Sequence, residues 1–239
     1  MVSAACPNCR ILLVEASSAS YANLGAAVDQ AAFLGANAIS NSYGGPEGLG
    51  ETTYDGYYNH PGIAVTVSSG DNGYGVEYPA ASPYVTAVGG TTLAKASTTR
   101  GWSETVWTGA GSGCSGYESK PSWQHDAGCP RRTVADVAAD ADPNTGVAVY
   151  DSYAYQGVSG WLVFGGTSVA SPIIASTYAL AGLTPASNAG SSSYDPAKAF
   201  YLNDVTTGSN GSCGTYLCNG AVGYDGPTGN GTPNGVGAF

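Results

Sequence analysis

The stretch Gly165-Gly166-Thr167-Ser168-Val169-Ala170-Ser171-Pro172 constrains this chain most, because it sets a serine between the apolar run Trp161-Leu162-Val163-Phe164 and a helix of small residues. The two glycines let a strand turn sharply into a helix without a Cβ clash. The free N–H groups of the helix's first turn then face the hydroxyl and any oxyanion formed beside it. Residues 173–182 are apolar on nearly every face, which predicts a buried helix. Pro172 fits an early helical turn, where its missing N–H costs nothing. Taken alone, the segment is equally compatible with a plain Gly-Thr-Ser helix cap.

A second segment adds a partner. Residues 63–68 read as a buried strand, and Ser69-Gly70-Asp71-Asn72-Gly73-Tyr74-Gly75 follows as a glycine-rich loop. In an open parallel sheet such a loop lies at the carboxyl end of its strand, where α/β proteins build their sites, so Asp71 comes within reach of Ser168. The surrounding pattern predicts such a sheet. Residues 10–16 read as a strand, 20–35 as a helix capped by Ser20, 38–42 as a strand and 51–59 as a helix. Strand and helix alternate, as parallel sheets require. Residues 85–88 with Leu93, 134–137 and 147–150 are expected as further strands, and 109–132 as a long surface loop stapled by its own disulfide. With 239 residues and neither a repeat nor a linker, the expectation is one large α/β domain.

Seventeen acidic residues against seven basic ones give a net charge of −10, which argues against nucleic acid or an anionic membrane as partner. No apolar run is long enough to span a bilayer. Only 10% of the residues are charged, so protonating the carboxylates accumulates little charge and acid disturbs the surface less than most. The six cysteines fall in close pairs, Cys6 with Cys9, Cys114 with Cys129 and Cys213 with Cys218, which points to local disulfides and an oxidising compartment. Cys6-Pro7-Asn8-Cys9 lacks a thioredoxin setting, and no second Cys-x-x-Cys completes a zinc site. Residues 1–9 have neither the basic nor the apolar region of a signal peptide, so a secreted parent is expected to carry its signal upstream.

Six motifs, in order along the chain, resemble the sedolisin family, the serine-carboxyl peptidases that keep a subtilisin-like fold but replace the catalytic histidine with acids. They are Asn41-Ser42-Tyr43-Gly44-Gly45, Ser-Gly-Asp-Asn-Gly around Asp71, Tyr78-Pro79-Ala80-Ala81-Ser82-Pro83, Val134-Ala135-Asp136-Val137 with Ala141-Asp142-Pro143, the Ser168 segment, and Gly223-Tyr224-Asp225. The resemblance implies an α/β, subtilisin-like three-layer fold with a mostly parallel central sheet flanked by helices. It also implies a secreted, monomeric endopeptidase that acts on protein or peptide substrates at acidic pH and is made with its own propeptide. Ser168 would be the nucleophile and Asp71 the oxyanion donor, while Asn41, Ser42, Tyr43, Gly44 and Gly166 would bind substrate. Asp204 and Asp225, with the carbonyls of Val205, Ala221 and Gly223, resemble the family's calcium site, an all-oxygen set of the kind Ca2+ requires.

The chemistry of these residue types agrees. A subtilisin needs a histidine base, yet His60 in Asn-His-Pro-Gly and His125 in Trp-Gln-His-Asp stand in no His-Gly-Thr context. A carboxylate would repel an oxyanion, so Asp71 must be protonated to donate, which calls for acidic solution or a pKa above the reference of about 3.9. A carboxylate base still accepts the serine proton there, where a histidine would be cationic. In the family that base is a glutamate supported by an aspartate one helical turn later, and the pattern puts the pair just upstream of Met1. Glu51 and Asp55 share a helical spacing and are a minor alternative; Glu15 and Asp29 are expected to be structural or solvated. Two other functions stay open: a non-catalytic chain that only binds peptide along residues 41–45, and a neutral, subtilisin-like peptidase.

Overall fold

A strand buried along its whole length needs cover on both faces, and Ala64–Ser68 is such a strand. It lies within a five-stranded sheet in a computed structural model that describes residues 1–182 and 188–239. β1 (Ala38–Asn41) pairs parallel with β2 (Ala64–Ser68), Ile39 opposite Val65, and β2 pairs parallel with β3 (Thr86–Lys95), Val67 opposite Ala87. The second half of β3 takes β4 (Trp102–Val106) antiparallel. A separate hairpin of β5 (Gly113–Ser119) and β6 (Arg131–Val134) follows, and β7 (Val137–Asp140) returns parallel to the first half of β3.

Helices cover both faces, giving the three layers of a subtilisin-like fold. α1 (Tyr21–Phe33) starts at Ser20, whose Oγ accepts the Asn23 N–H at 3.3 Å, the cap that the sequence predicts. It sets Val28 and Ala31 into a core with Ile39, Val65, Val67 and Ala87. An antiparallel hairpin of β8 (Val147–Tyr155) and β9 (Val158–Phe164) leads into α2 (Thr167–Ala181), which lies on the opposite face. There Ala170, Ile174 and Tyr178 pack with Ala64, Val88 and Val137. All three expected disulfides are formed. No helix among the described residues is long and apolar enough to cross a membrane.

Four expectations need correction. Residues 10–16 join no sheet, and Ile11, Leu12 and Leu13 are exposed while Val14 alone packs against the core. A short continuous apolar run carries no periodicity, so it is the weakest strand signal. Residues 109–132 are not a surface loop but contain β5 and most of its hairpin, with Ser112, Ser115 and Glu118 buried; strands poor in β-branched residues leave little trace in sequence. Residues 134–137 are not one strand but the corner where β6 leaves one sheet and β7 enters another. Pro172 is the sixth residue of α2 rather than part of its first turn, with a consequence for the site described below.

A buried ion pair folds that corner. Arg132 and Asp136 are both 0% exposed, and the guanidinium grips the carboxylate with Nη1 at 2.6 Å and Nη2 at 2.5 Å. Asp136 also accepts the Ala87 N–H of β3 at 2.7 Å and the Tyr194 hydroxyl at 2.9 Å, so one carboxylate ties three parts of the chain together. Burial alone would favour a neutral guanidine, but the Asp136 charge outweighs it and holds Arg132 above its ordinary pKa. Replacing Arg132 with Met should leave the carboxylate buried without its partner and lose about 3–5 kcal/mol in urea unfolding. A loss under about 1 kcal/mol would show that the corner does not rest on the pair.

Candidate active site

β1 and β2 end side by side, and the loops leaving them form one wall of a cleft of about 200 Å³. Gly70, at φ +113°, turns the chain away from β2 and brings Asp71 over the start of α2. Asp71 Oδ1 accepts the Thr167 N–H at 2.7 Å and the Thr167 hydroxyl at 2.8 Å, while that hydroxyl accepts the Gly70 N–H at 3.2 Å. The other oxygen, Oδ2, lies over Gly166, where a Cβ would come within 2.6 Å of it. Gly166 therefore has two reasons to be glycine: that approach and its own φ of +100°. Ser168 follows, exposed to the cleft between buried Thr167 and Val169.

The seating of α2 fixes where that serine stands. Ser171, 0% exposed, bonds through Oγ to the Thr66 hydroxyl at 2.9 Å and the Ser40 hydroxyl at 3.2 Å, which locks the helix to β2 and β1. Pro172 has no N–H for the Ser168 carbonyl, the acceptor that its helical position would normally use. The Ser42 hydroxyl donates to that carbonyl instead, at 3.1 Å. A residue expected to bind substrate thus braces the backbone of the serine.

Of the other expected substrate-binding residues, Tyr43 and Gly44 line the cleft. Asn41 does not; it is 5% exposed, donates to the Thr66 carbonyl at 3.2 Å, and accepts the Tyr43 hydroxyl at 3.0 Å. Its part is to hold the tyrosine. Sequence reasoning missed Glu77, which lines the cleft beside Asp71. Its carboxylate accepts from Asn72 Nδ2 at 3.1 Å and fills the space against Gly44 and Gly70 that their missing side chains leave. The signal was there: a lone acid ending the same glycine-rich loop, in the strip Glu77–Tyr78 that pairs with Gly45–Pro46.

Neither histidine lines the cleft. His60 pairs with Asp29 at 3.1 Å and His125 is exposed. Glu51 and Asp55 stay outside it too, and because Glu51–Tyr58 is a 3-10 helix, residues four apart do not share a face as the helical spacing suggested. Elsewhere, Asp204 and Asp225 face one turn: Asp204 accepts the Gly223 N–H at 2.9 Å and Asp225 the Ala221 N–H at 3.0 Å. Burial pushes the Asp225 carboxyl up to about 7, and the Asp204 charge adds to the shift. Val205, next to Asp204 in sequence, is buried. Among the described residues no group of three or more His, Cys, Asp or Glu is suited to a metal, so an ion here would depend on two carboxylates and backbone carbonyls.

Replacing Gly166 with Ala should displace Asp71 from Thr167 and cost about 1–3 kcal/mol of stability through backbone strain. Denaturant unfolding measures the loss and a crystal structure the displacement. An unchanged Asp71–Thr167 contact would contradict the close approach.

A family model described as the subtilase family matches residues 2–215. The chain is 37% identical to sedolisin of Pseudomonas sp. (strain 101) over 203 residues, 70% of this chain and 33% of that protein. It is 33% identical to xanthomonalisin of Xanthomonas sp. (strain T-22) over 245 residues, 86% of this chain and 28% of that protein. The chain thus spans a third or less of the length of these relatives. The solved structure of Pseudomonas sedolisin, a serine-carboxyl proteinase complexed with two molecules of pseudo-iodotyrostatin, superimposes with a TM-score of 0.75 at 31% identity, covering 92% of this chain and 69% of that one.

Proposed function

Because this chain belongs to the subtilase family, in its sedolisin branch, we propose that it is the nucleophile-bearing part of a secreted serine-carboxyl endopeptidase that cleaves protein and peptide bonds in acidic solution. One observation carries the reading: Asp71 spends Oδ1 on Thr167 while Oδ2 has no hydrogen-bond partner among the described residues, at the turn that presents Ser168. Protonated on Oδ2, Asp71 donates to the oxygen that becomes negative when Ser168 Oγ adds to the scissile carbonyl. The N–H groups at the start of α2 favour the same charge. The Ser168 proton passes to a carboxylate base and from there to the leaving amine as the C–N bond breaks; water then releases the acyl group from Ser168. Substrate would lie along residues 41–45 as an added strand, with Tyr43 as a wall and Glu77 favouring a cationic side chain.

The test is steady-state kinetics with the chain extended to the length of its relatives. Ser168→Ala should fall to background. Asp71→Ala should lose about 10²–10³ in kcat, as loss of an oxyanion donor does. Asp71→Asn, whose amide donates at every pH, should keep part of the rate and lose the fall in activity expected of the wild type as pH rises. Equal pH profiles for Asp71→Asn and wild type would refute the protonated role.

Calcium fits the second cluster. Asp204 and Asp225 repel each other across one turn, no Lys or Arg pairs with either among the described residues, and the carbonyls of Val205, Ala221 and Gly223 would complete an oxygen shell. The ion would stabilise these turns and take no part in the chemistry. At a hundredfold excess over Kd it should add about 2.7 kcal/mol to the folded state. Thermal melts in calcium and in chelator should therefore separate for the wild type and coincide for Asp204→Ala; coincident wild-type curves would rule the site out.

A further inference from the structure

Behind the wall of the cleft the chain gathers four carboxyl groups with no basic partner among the described residues. Glu51 and Asp55 come from the 3-10 helix Glu51–Tyr58, Glu118 from β5, and Glu47 from the residue after Gly45–Pro46. Glu51 is 3% and Glu118 2% exposed, and Oε1 of each has no hydrogen-bond donor among the described residues. Each of these two acids has another carboxyl group as its neighbour, Glu51 that of Glu47 and Glu118 that of Asp55. Two carboxylates cannot bond to each other, whereas a carboxylic acid and a carboxylate can.

The neighbours decide which member of each pair holds the proton. Glu47 already accepts from the Ser115 hydroxyl and from the Gly116 N–H at 3.0 Å. Asp55 accepts the Tyr78 hydroxyl at 3.1 Å. Both are therefore equipped as acceptors, and the orphaned oxygens belong to the donors. We propose that Glu51 and Glu118 are carboxylic acids in the folded protein, donating to Glu47 and Asp55, and that these two shared protons form a pH-sensitive latch on the cleft wall.

Every element packed against the pair adds to this. α1 contributes Tyr21, the strip Glu77–Tyr78 contributes both its side chains, and Tyr58 and Tyr43 close the cluster from the helix and the cleft. None of these groups is a cation; His60, two residues beyond Tyr58, contacts Asp29 at 3.1 Å. Burial pushes Glu51 up to about 7, against a bond from the Gly48 N–H and with help from Glu47. Burial and then the Asp55 charge push Glu118 up to about 8.

The latch reaches the cleft through tyrosines. Tyr78 bonds Asp55 and pairs in register with Gly45, and Glu77 precedes it. Tyr58 packs edge-on against Tyr78, with ring centroids 6.0 Å apart, and its buried hydroxyl has no hydrogen-bond partner among the described residues. Ionising Glu51 and Glu118 would put repelling carboxylates behind the strip that carries Glu77 and the wall that carries Tyr43.

The sign follows from acids whose folded pKa is raised. Below about pH 4.3 folded and unfolded chains both hold the protons, and the cluster adds no slope. Between there and 7 to 8 only the unfolded chain releases them, so the unfolding constant rises by up to about tenfold per pH unit for each acid. Denaturant unfolding from about pH 4 to pH 8 therefore tests the latch in Glu118→Gln, where the amide still donates but does not titrate. Its pH slope should be shallower than that of the wild type by up to about tenfold per unit, with the variant gaining on the wild type as pH rises. Should Glu118→Gln not fold, Glu51→Gln makes the same prediction. Amide exchange, corrected for intrinsic rate, should also show residues 51–58 and 113–119 losing protection above about pH 7 in the wild type and not in the variants. Parallel pH profiles for wild type and variant would overturn the proposal. No readout uses peptide cleavage, so the latch and the catalytic reading stand or fall separately.

Discussion

Ser171 sets its hydroxyl against those of Thr66 and Ser40, and on that buried contact the arrangement of the molecule's working end depends. Apolar residues hold the rest of α2 to the sheet, but apolar contact is non-directional and lets a helix slide or turn by fractions of an ångström. Buried hydroxyls do not allow this, because a shift leaves them without partners in a low dielectric. The lock lies one helical turn beyond Ser168, where the pose of the helix is passed on to the serine. Asp71 fixes the loop after β2 to the same helix start from the other side, and Ser42 does so for the end of β1.

Proline and glycine have linked parts in this. Pro172 leaves the Ser168 carbonyl without its helical donor, and Ser42 occupies the place, so an apparent defect in the helix becomes a brace across the cleft. Gly166 lets Asp71 Oδ2 lie where a side chain would stand. A strained or interrupted backbone survives where its surroundings over-determine it, and here the surroundings are Asp71 and Ser42, which hold the start of α2 on either side of Ser168. Charge is distributed to match. Asp136 is neutralised by Arg132 at the corner between sheets, whereas the acids near the cleft are left among acceptors and tyrosines, an arrangement suited to acidic solution.

Much of this was legible in the sequence where a pattern has a local cause. The Ser20 cap, the buried strand before Asp71, and the glycines that admit the turn into α2 are all consequences of short-range sterics and periodicity. The three disulfides join cysteines close in sequence. What sequence could not give were properties created by distant partners. Residues 10–16 look like a strand until the sheet forms without them. Glu77 acquires a role only when the strip it belongs to pairs with Gly45–Pro46, and Asn41 turns inward because Thr66 and Tyr43 take up its amide. Glu51 and Asp55 suggested a helical pair, but the 3-10 geometry and Glu118, 67 and 63 positions further on, gave them different neighbours.

The central claim is that one loop carboxyl, protonated, serves the serine at the start of α2. A crystal structure in acid, of the chain extended to the length of its relatives and bound to a peptide aldehyde, tests it most directly. The account predicts continuous density from Ser168 Oγ to the aldehyde carbon, with the resulting oxygen within hydrogen-bonding distance of Asp71 Oδ2 and Oδ1 still on Thr167. An adduct whose oxygen points away from Asp71, or an aldehyde bound without a bond to Ser168, would contradict it.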